Sequence, residues 1–491
     1  MSSLATDSIF HAPEQGPRLE PSGRTTPDAM VLGDNARQAL LIGMALATAG
    51  AIALLGKHSL VALPAAAGAA AILASPELGM YALLMALMLP VPIAAFGVVL
   101  YPHDAVAVMT IASAMLAGLR RKDLIVPPAL YLAPAAALLM TLIVSLVNSA
   151  EVATGTAEVV QQFYLILVAP AAYFMLFRDR RILNRASRLL MLLGTGQALL
   201  VCSQFLLARA GNTSLIDVFA FGRSTFLSTT RVFGTIGPGV GILLVMSSFL
   251  WISRNDSARR SSSHLAAMRW PIVVLHILAM LATGTRSTMV VFFVTLIFYA
   301  LFARRKALSL KIAAIAVAGL MIFVGIVGLS RFSESLVHAT DARYRFPIDA
   351  KALRAVPDHP LVGHGPKASA ALSISIFGAR KVSVENEFVA RLYDTGALGL
   401  AALFAFGAVP VLGCVHTLKR KQAVLPAAAI AAIIVGIYSG GPAGCIFEGF
   451  LGHCTIMLYA MMLAATDISR QDAHAQTSAT QPAVAAGAQL H

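Results

Sequence analysis

Apolar residues run through this chain in blocks, at roughly 38–56, 59–75, 78–100, 103–119, 126–148, 160–177, 187–208, 232–253, 269–283, 287–303, 310–330, 393–417, 423–440 and 450–466. Most approach the length of about 20 residues that a helix needs to cross a hydrocarbon core. The pattern predicts an all-α, polytopic integral membrane protein with about 14 transmembrane helices. Residues 1–37 are polar, carry Pro13, Pro17, Pro21 and Pro27, and lack an apolar run. They read as a disordered cytoplasmic tail and not as a secretory signal. Residues 467–491 read as a second such tail. Between the tails a transmembrane domain is expected over 38–466, interrupted by one large loop at about 331–392. The amphipathic stretches of that loop predict short helices lying over the membrane.

Composition agrees with the pattern. The chain of 491 residues is 58% hydrophobic and 12% charged, against about 25% charged in a soluble domain. Its net charge of +14 reports topology, because the basic residues cluster in connections between apolar blocks. With the N-terminus inside, Arg120-Arg121-Lys122, the stretch Arg178 to Arg188, Arg254 to Arg269, Arg304-Arg305-Lys306 and Lys419-Arg420-Lys421 all fall on the cytoplasmic side. The connection 149–159, expected outside, holds no Lys or Arg. Both termini are therefore expected inside, and nucleic acid is not an expected partner. Cys202, Cys414, Cys445 and Cys454 match no zinc spacing. They read as buried thiols, with a meeting of Cys445 and Cys454 near an outer helix end as the alternative.

Three outer connections carry polar chemistry. Arg286 sits in a tight turn, Thr283-Gly284-Thr285-Arg286, between two helices. An arginine there faces a polar cavity or snorkels to the interface. Arg231 opens R-V-F-G-T-I-G-P-G-V-G at the expected outer end of a helix. A glycine-rich helix start favours anions, and small residues equally favour close helix packing. The long loop supplies Arg343, Arg345, Arg354 and Lys367 as cations and His359, His364, Glu385, Glu387 and Asp394 as groups able to move protons. Outer basic residues run against the positive-inside bias, and a diphosphate would account for them; a solvated loop face is the plainer alternative. Glu385-Asn386-Glu387 precedes a helix, so its acids suit either catalysis or the helix dipole.

Taken in order, these motifs resemble the bacterial O-antigen ligase and Wzy-type polysaccharide polymerase superfamily, including exopolysaccharide polymerases. The resemblance spans roughly 225–440 and rests on Arg-x-x-Gly, Gly-Thr-Arg-Ser, a loop arginine, H-P-L-V-G-H-G, the acidic box and L-Y-D-T-G-A-L-G-L. It implies a glycosyltransferase that takes an undecaprenyl-pyrophosphate-linked glycan as donor on the periplasmic side of a bacterial inner membrane, without metal, nucleotide or other cofactor. By position, Arg231 and Arg286 would hold the pyrophosphate. Arg343 or Arg345 would be the loop arginine, and Gly363 and Gly365 the glycines after H-P-L. Many ligases carry a His-Asn pair where this chain has Glu385-Asn386. A carboxylate can also take a hydroxyl proton, so Glu385 is the first choice of base and His364 the second. Lys367 and Asn386 complete the expected substrate contacts. The departure tilts the reading toward a polymerase, whose acceptor is a second lipid-linked glycan, acting with other assembly or export proteins. The alternatives are an O-antigen ligase, a lipid-linked oligosaccharide flippase or transporter, and a structural subunit of an export complex. Transport is disfavoured because Arg37, Arg188 and Asp394 lie near segment ends and segment centres hold few charges.

Overall fold

The computed structural model describes residues 59–88, 93–95, 98–100, 102–121, 125–211, 223–226, 229–232, 239–254, 263–302, 340–372, 374–376, 380–382, 384, 386–419, 425–440, 451–468 and 471. The chain divides into two compact units, Met1–Gly68 and Ala69–His491. In the first, the described residues are the opening turns of helix α1 (Ser59–Ala74).

The second unit holds the rest of α1 and the helices that follow. These are α2 (Pro76–Ala86), α3 (Pro102–Arg121), α4 (Ala129–Ser145), α5 (Val152–Phe163), α6 (Ala169–Phe177) and α7 (Arg180–Arg209). Then come α8 (Val240–Arg254), α9 (Ser263–Thr283), α10 (Arg286–Phe302), α11 (Thr340–Ala355), α12 (Ala368–Ala371), α13 (Glu387–Lys419), α14 (Leu425–Ser439) and α15 (Leu451–Ile468). Among the described residues, six stretches are long and apolar enough to cross a membrane: Pro102–Arg120, Ala129–Asn148, Val152–Phe177, Arg180–Arg209, Glu387–Gly413 and Leu451–Ile468. Four shorter apolar helices accompany them: Val240–Ser253, Met268–Thr283, Ser287–Leu301 and Ala429–Ser439. The molecule is an integral membrane protein. The expected spans at 38–56 and 310–330 lie outside the described residues.

Among the described residues, three two-stranded antiparallel hairpins interrupt the helices: β1 (Ile93–Ala95) with β2 (Val98–Leu100), β3 (Arg223–Phe226) with β4 (Thr229–Val232), and β5 (Ile374–Ile376) with β6 (Arg380–Val382). They correct three readings of the sequence. The block 78–100 is not one helix, because α2 ends at Ala86 and β1–β2 follows. Pro90 and Pro92 remove two backbone donors between them. The large loop is not purely helical, since it carries β5–β6 beside α11 and α12. Arg231 does not open a helix: it sits in β4 opposite Ser224, and α8 begins at Val240. Thr229, Thr230 and Val232 favour a strand, while the Gly- and Pro-rich run after them is a poor helix former. Conversely, most of 149–159 is helical, because α5 starts at Val152. That turn is amphipathic, so a search for apolar blocks passes over it.

Lipid contact and protein contact separate cleanly on α7. Leu192, Leu199 and Leu206 recur every seven residues and are exposed, while Leu190, Gly194, Ala198 and Val201 are buried. Exposed leucines at this spacing face lipid tails, which solvate them as well as a core would. On the buried face Gly194 meets Ser247 of α8 so closely that a methyl group would overlap the serine side chain. A small residue there lets the two backbones approach.

The bundle has two distinct ends. At one, Arg178 pairs with Asp467 at 2.8 Å and Arg185 with Glu77 at 2.7 Å, and Arg120 and Arg121 close α3. At the other, α4 ends in a 3-10 turn whose Asn148 donates to the Gly363 carbonyl at 2.9 Å. The basic end and the loop end thus hold different chemistry.

One buried bond shows how the interior copes with a proline. Pro170 lacks the N–H that would bond the Ile166 carbonyl, and the chain widens into a π-turn at Tyr164–Val168. Hydrocarbon offers that carbonyl no water. The fully buried Tyr131 hydroxyl donates to it at 2.6 Å, while its ring packs edge-on against Phe406 at 5.3 Å. Tyr131→Phe keeps the ring and orphans the carbonyl. It is expected to lower stability by about 1–3 kcal/mol, read as a reduced midpoint in thermal unfolding of the detergent-solubilised protein.

Candidate active site

The loop end is organised by a break in α13. Within Y-D-T-G-A-L, Gly396 adopts φ 67°, ψ −168°, which no helix contains. The break separates Glu387–Thr395 from the long remainder and frees backbone groups on both sides. The loop at 360–365 takes them up. Ala397 N donates to the Pro360 carbonyl at 2.9 Å and Leu398 N to that of Leu361 at 3.3 Å. In return His364 N donates to the Tyr393 carbonyl at 2.9 Å and Gly365 N to that of Asp394 at 3.0 Å. H-P-L-V-G-H-G and D-T-G are therefore two halves of one interlock. A methyl group on Gly396 would overlap the Leu361 backbone, and one on Gly363 (φ 74°) would overlap Asp394.

The interlock aims side chains. Asp394 accepts from Ser369 N at 2.6 Å and from Ser369 Oγ at 3.0 Å, holding α12 against the helix break. His364 stacks on Tyr393 with centroids 4.3 Å apart, and His359 meets it edge-on at 4.9 Å. His364 Nε2 lies 2.9 Å from the Ala355 carbonyl. A carbonyl only accepts, so Nε2 carries the proton and Nδ1 is the basic nitrogen of the neutral ring. Lys367 has φ 63° and places Nζ 3.1 Å from Glu158 Oε2, whose other oxygen accepts from Gln162 Nε2 at 2.8 Å. Asn386 caps α13: its Oδ1 accepts from Phe388 N at 3.1 Å and Val389 N at 3.4 Å. Arg391 is buried and paired with Glu387 at 2.9 Å. A small apolar cluster of Ile348, Ala352 and Val384, flanked by Leu372, Val389 and Tyr393, joins α11 to this layer, separate from the membrane core.

Of the residues singled out from sequence, His359, His364, Lys367, Asn386, Glu387 and Asp394 belong to this layer. Arg343 and Arg345 lie on α11, which enters it, and Arg286 begins α10 after the expected turn, where Gly284 has φ 62°. For these arginines and for Arg231 the description covers backbone alone, so their convergence stays an expectation. Glu385 lies outside the described residues. The sequence reading passed over Glu158, which became the partner of Lys367; its signal was Gln162 one turn on, a polar pair buried together on the inward side of α5. It also passed over His276, fully buried within α9, with Nδ1 2.7 Å from the Ile272 carbonyl and Nε2 2.9 Å from Ser247 Oγ. Ser247 in turn donates to the Met191 carbonyl at 3.0 Å, so His276 ties α9 to α8 and α7.

A polytopic membrane protein with a broken helix clamped by a polar loop is the class these features define. Residues 271–404 match the family described as O-antigen ligase, a span running from α9 through the loop to just beyond the break. The match agrees with the resemblance to the O-antigen ligase and Wzy-type superfamily and supports a ligase- or polymerase-type membrane function. No curated protein matches the chain.

Gly396→Ala and Gly363→Ala each force a side chain into opposing backbone at positive φ. Each is expected to cost at least about 2 kcal/mol and to loosen the loop, read as faster proteolysis between residues 356 and 372 than in wild type.

Proposed function

We propose that this protein is a polysaccharide polymerase: it joins undecaprenyl-pyrophosphate-linked repeat units into a surface polysaccharide on the periplasmic side of the inner membrane. The observation that carries this reading is the interlock of H-P-L-V-G-H-G with D-T-G at one end of a lipid-embedded bundle, inside the span that matches the O-antigen ligase family.

The chemistry follows from the groups available. A base, Glu385 first and His364 second, takes the proton of an acceptor hydroxyl. That oxygen attacks the anomeric carbon of the donor, the bond from that carbon to the diphosphate oxygen breaks, and lipid diphosphate leaves. One displacement inverts the anomeric centre. Arg231, Arg286 and either Arg343 or Arg345 meet the charge growing on the leaving group, a task guanidinium performs by bidentate pairing without a metal. Asn386 and Lys367 border the acceptor side. The departure Glu385-Asn386 favours polymerisation, while the family's own description favours the second reading, ligation of the finished glycan to lipid A–core.

Replacing Arg286 by Ala in the producing cells is expected to lower polymer formation about 10²–10³-fold at unchanged protein abundance, with single lipid-linked repeat units left behind. Long chains retained on the lipid carrier would identify a ligase instead. Normal polymer output at normal abundance would remove Arg286 from the donor site. Single cysteines at positions 286 and 385 are expected to react with the same membrane-impermeant reagent from outside; labelling from opposite sides would end the glycan-transfer reading.

A further inference from the structure

A second group of chemically able side chains lies away from the interlock, where the two extremes of the described bundle meet. His103 and Asp104 occupy the first turn of α3, and His453 occupies the first turn of α15. His453 Nε2 is 3.0 Å from Asp104 Oδ1, and His103 Nε2 is 3.7 Å from the same oxygen. One ligand atom from each of the three residues falls within 4.8 Å of the others. We propose that His103, Asp104 and His453 form a divalent-metal site of zinc type that staples α3 to α15 at the loop end.

The distances carry the argument. Three ligands about 2.0–2.1 Å from one tetrahedral zinc stand about 3.3–3.4 Å apart. The two separations to Asp104 bracket that value, and with all three ligand atoms within 4.8 Å of one another, side-chain movement alone brings them to one ion. The 3.7 Å separation of His103 Nε2 from Asp104 Oδ1 suits two ligands of one ion. Burial fits as well. His103 and His453 are 2% and 5% exposed, while the Asp104 side chain is 44% exposed. The site is thus walled by protein on the imidazole side and open to water on the carboxylate side, which suits a fourth, water ligand. The ring of Tyr164, in the π-turn, stands edge-on to His453 at 6.4 Å and closes a further side. Two imidazoles and one carboxylate select a borderline cation such as Zn²⁺ over Mg²⁺ or Ca²⁺, which demand oxygen ligands. The site is structural and independent of the glycan-transfer reading, since none of its residues belongs to the interlock.

The test uses the full chain, purified in detergent and stripped with chelator. Titration with Zn²⁺ is expected to show one stoichiometric equivalent per chain and a raised unfolding midpoint; Mg²⁺ gives neither. Co²⁺ is expected to give a visible ligand-field spectrum without the sulfur charge-transfer band that Cys454 would add. His453→Asn and Asp104→Asn are expected to weaken Zn²⁺ binding at least about 100-fold while the metal-free variants elute and melt like stripped wild type. Should both variants fail to fold, X-ray absorption of the Zn²⁺-loaded wild type decides: a two-imidazole shell supports the site, and a sulfur or water-only shell overturns it. Absence of stoichiometric Zn²⁺ binding, or undiminished binding by folded variants, also overturns it.

Discussion

The loop end of this protein depends on one discontinuity, the break of α13 at Gly396. A helix interrupted beside a bilayer exposes N–H and C=O groups that neither lipid nor a dry interface can satisfy. Four of them are satisfied by a single short loop, two in each direction. Because the bonds run both ways, loop and helix break fix each other. Everything polar nearby follows from this. His364 is placed by its own backbone N–H on Tyr393, Ser369 by the Asp394 carboxylate, and the Gly363 carbonyl is left to accept from Asn148 in the turn after α4. The interlock is thus anchored to the bundle through its backbone, which makes its geometry insensitive to most side-chain changes and sensitive to its glycines.

Below that layer cohesion is of another kind. Lipid removes the hydrophobic drive for helices to associate, so packing and buried hydrogen bonds must hold them. The chain uses glycine against serine between α7 and α8, and it uses hydroxyls and one imidazole as cross-links. Tyr131 caps the carbonyl orphaned by Pro170, Tyr459 donates to the Phe406 carbonyl at 2.9 Å, and His276 bridges to Ser247. Each is buried, so each is worth more as a bond kept than its net strength in water implies. The polar end and the apolar bundle thus share one device: backbone groups exposed at Gly396 and at Pro170 find partners elsewhere in the chain.

How much of this was legible depends on whether the signal was local. Apolar blocks fixed α3, α4, α10, α14 and α15 to within a few residues, because span length is set by the bilayer alone. The turn at Thr283–Arg286 was legible because Gly284 needs a positive φ that few residues supply. The order of the motifs led to the matched family span. Other features were not legible, and for physical reasons. Arg231 was read at a helix start, since glycine enrichment looks the same before a helix and after a strand. The fusion of Glu387–Thr395 with the following span could not be seen, because only the loop's hydrogen bonds make a break at Gly396 tolerable. Glu158 was invisible as a partner of Lys367, because the two are brought together by folding over a separation of some two hundred positions.

Charge pairing in the outer layer bears on which cations are available to a polyanion. Lys367 stands against Glu158, and Arg391 is buried against Glu387. Each pair is close to neutral as a unit, and breaking either leaves an uncompensated charge in a partly dry site. Neither is a good first partner for a diphosphate carrying two or more negative charges. On the proposed reading the electrostatic work therefore falls to Arg231, Arg286 and the α11 arginines, which come from three separate parts of the chain. The paired cations have a different use. Lys367 ties the loop to α5, and Arg391 with Glu387 braces the turn that precedes the helix break, so that the proposed donor-site arginines would meet a preorganised floor instead of a collapsing one. A site built this way separates the charges that shape it from the charges that serve the substrate.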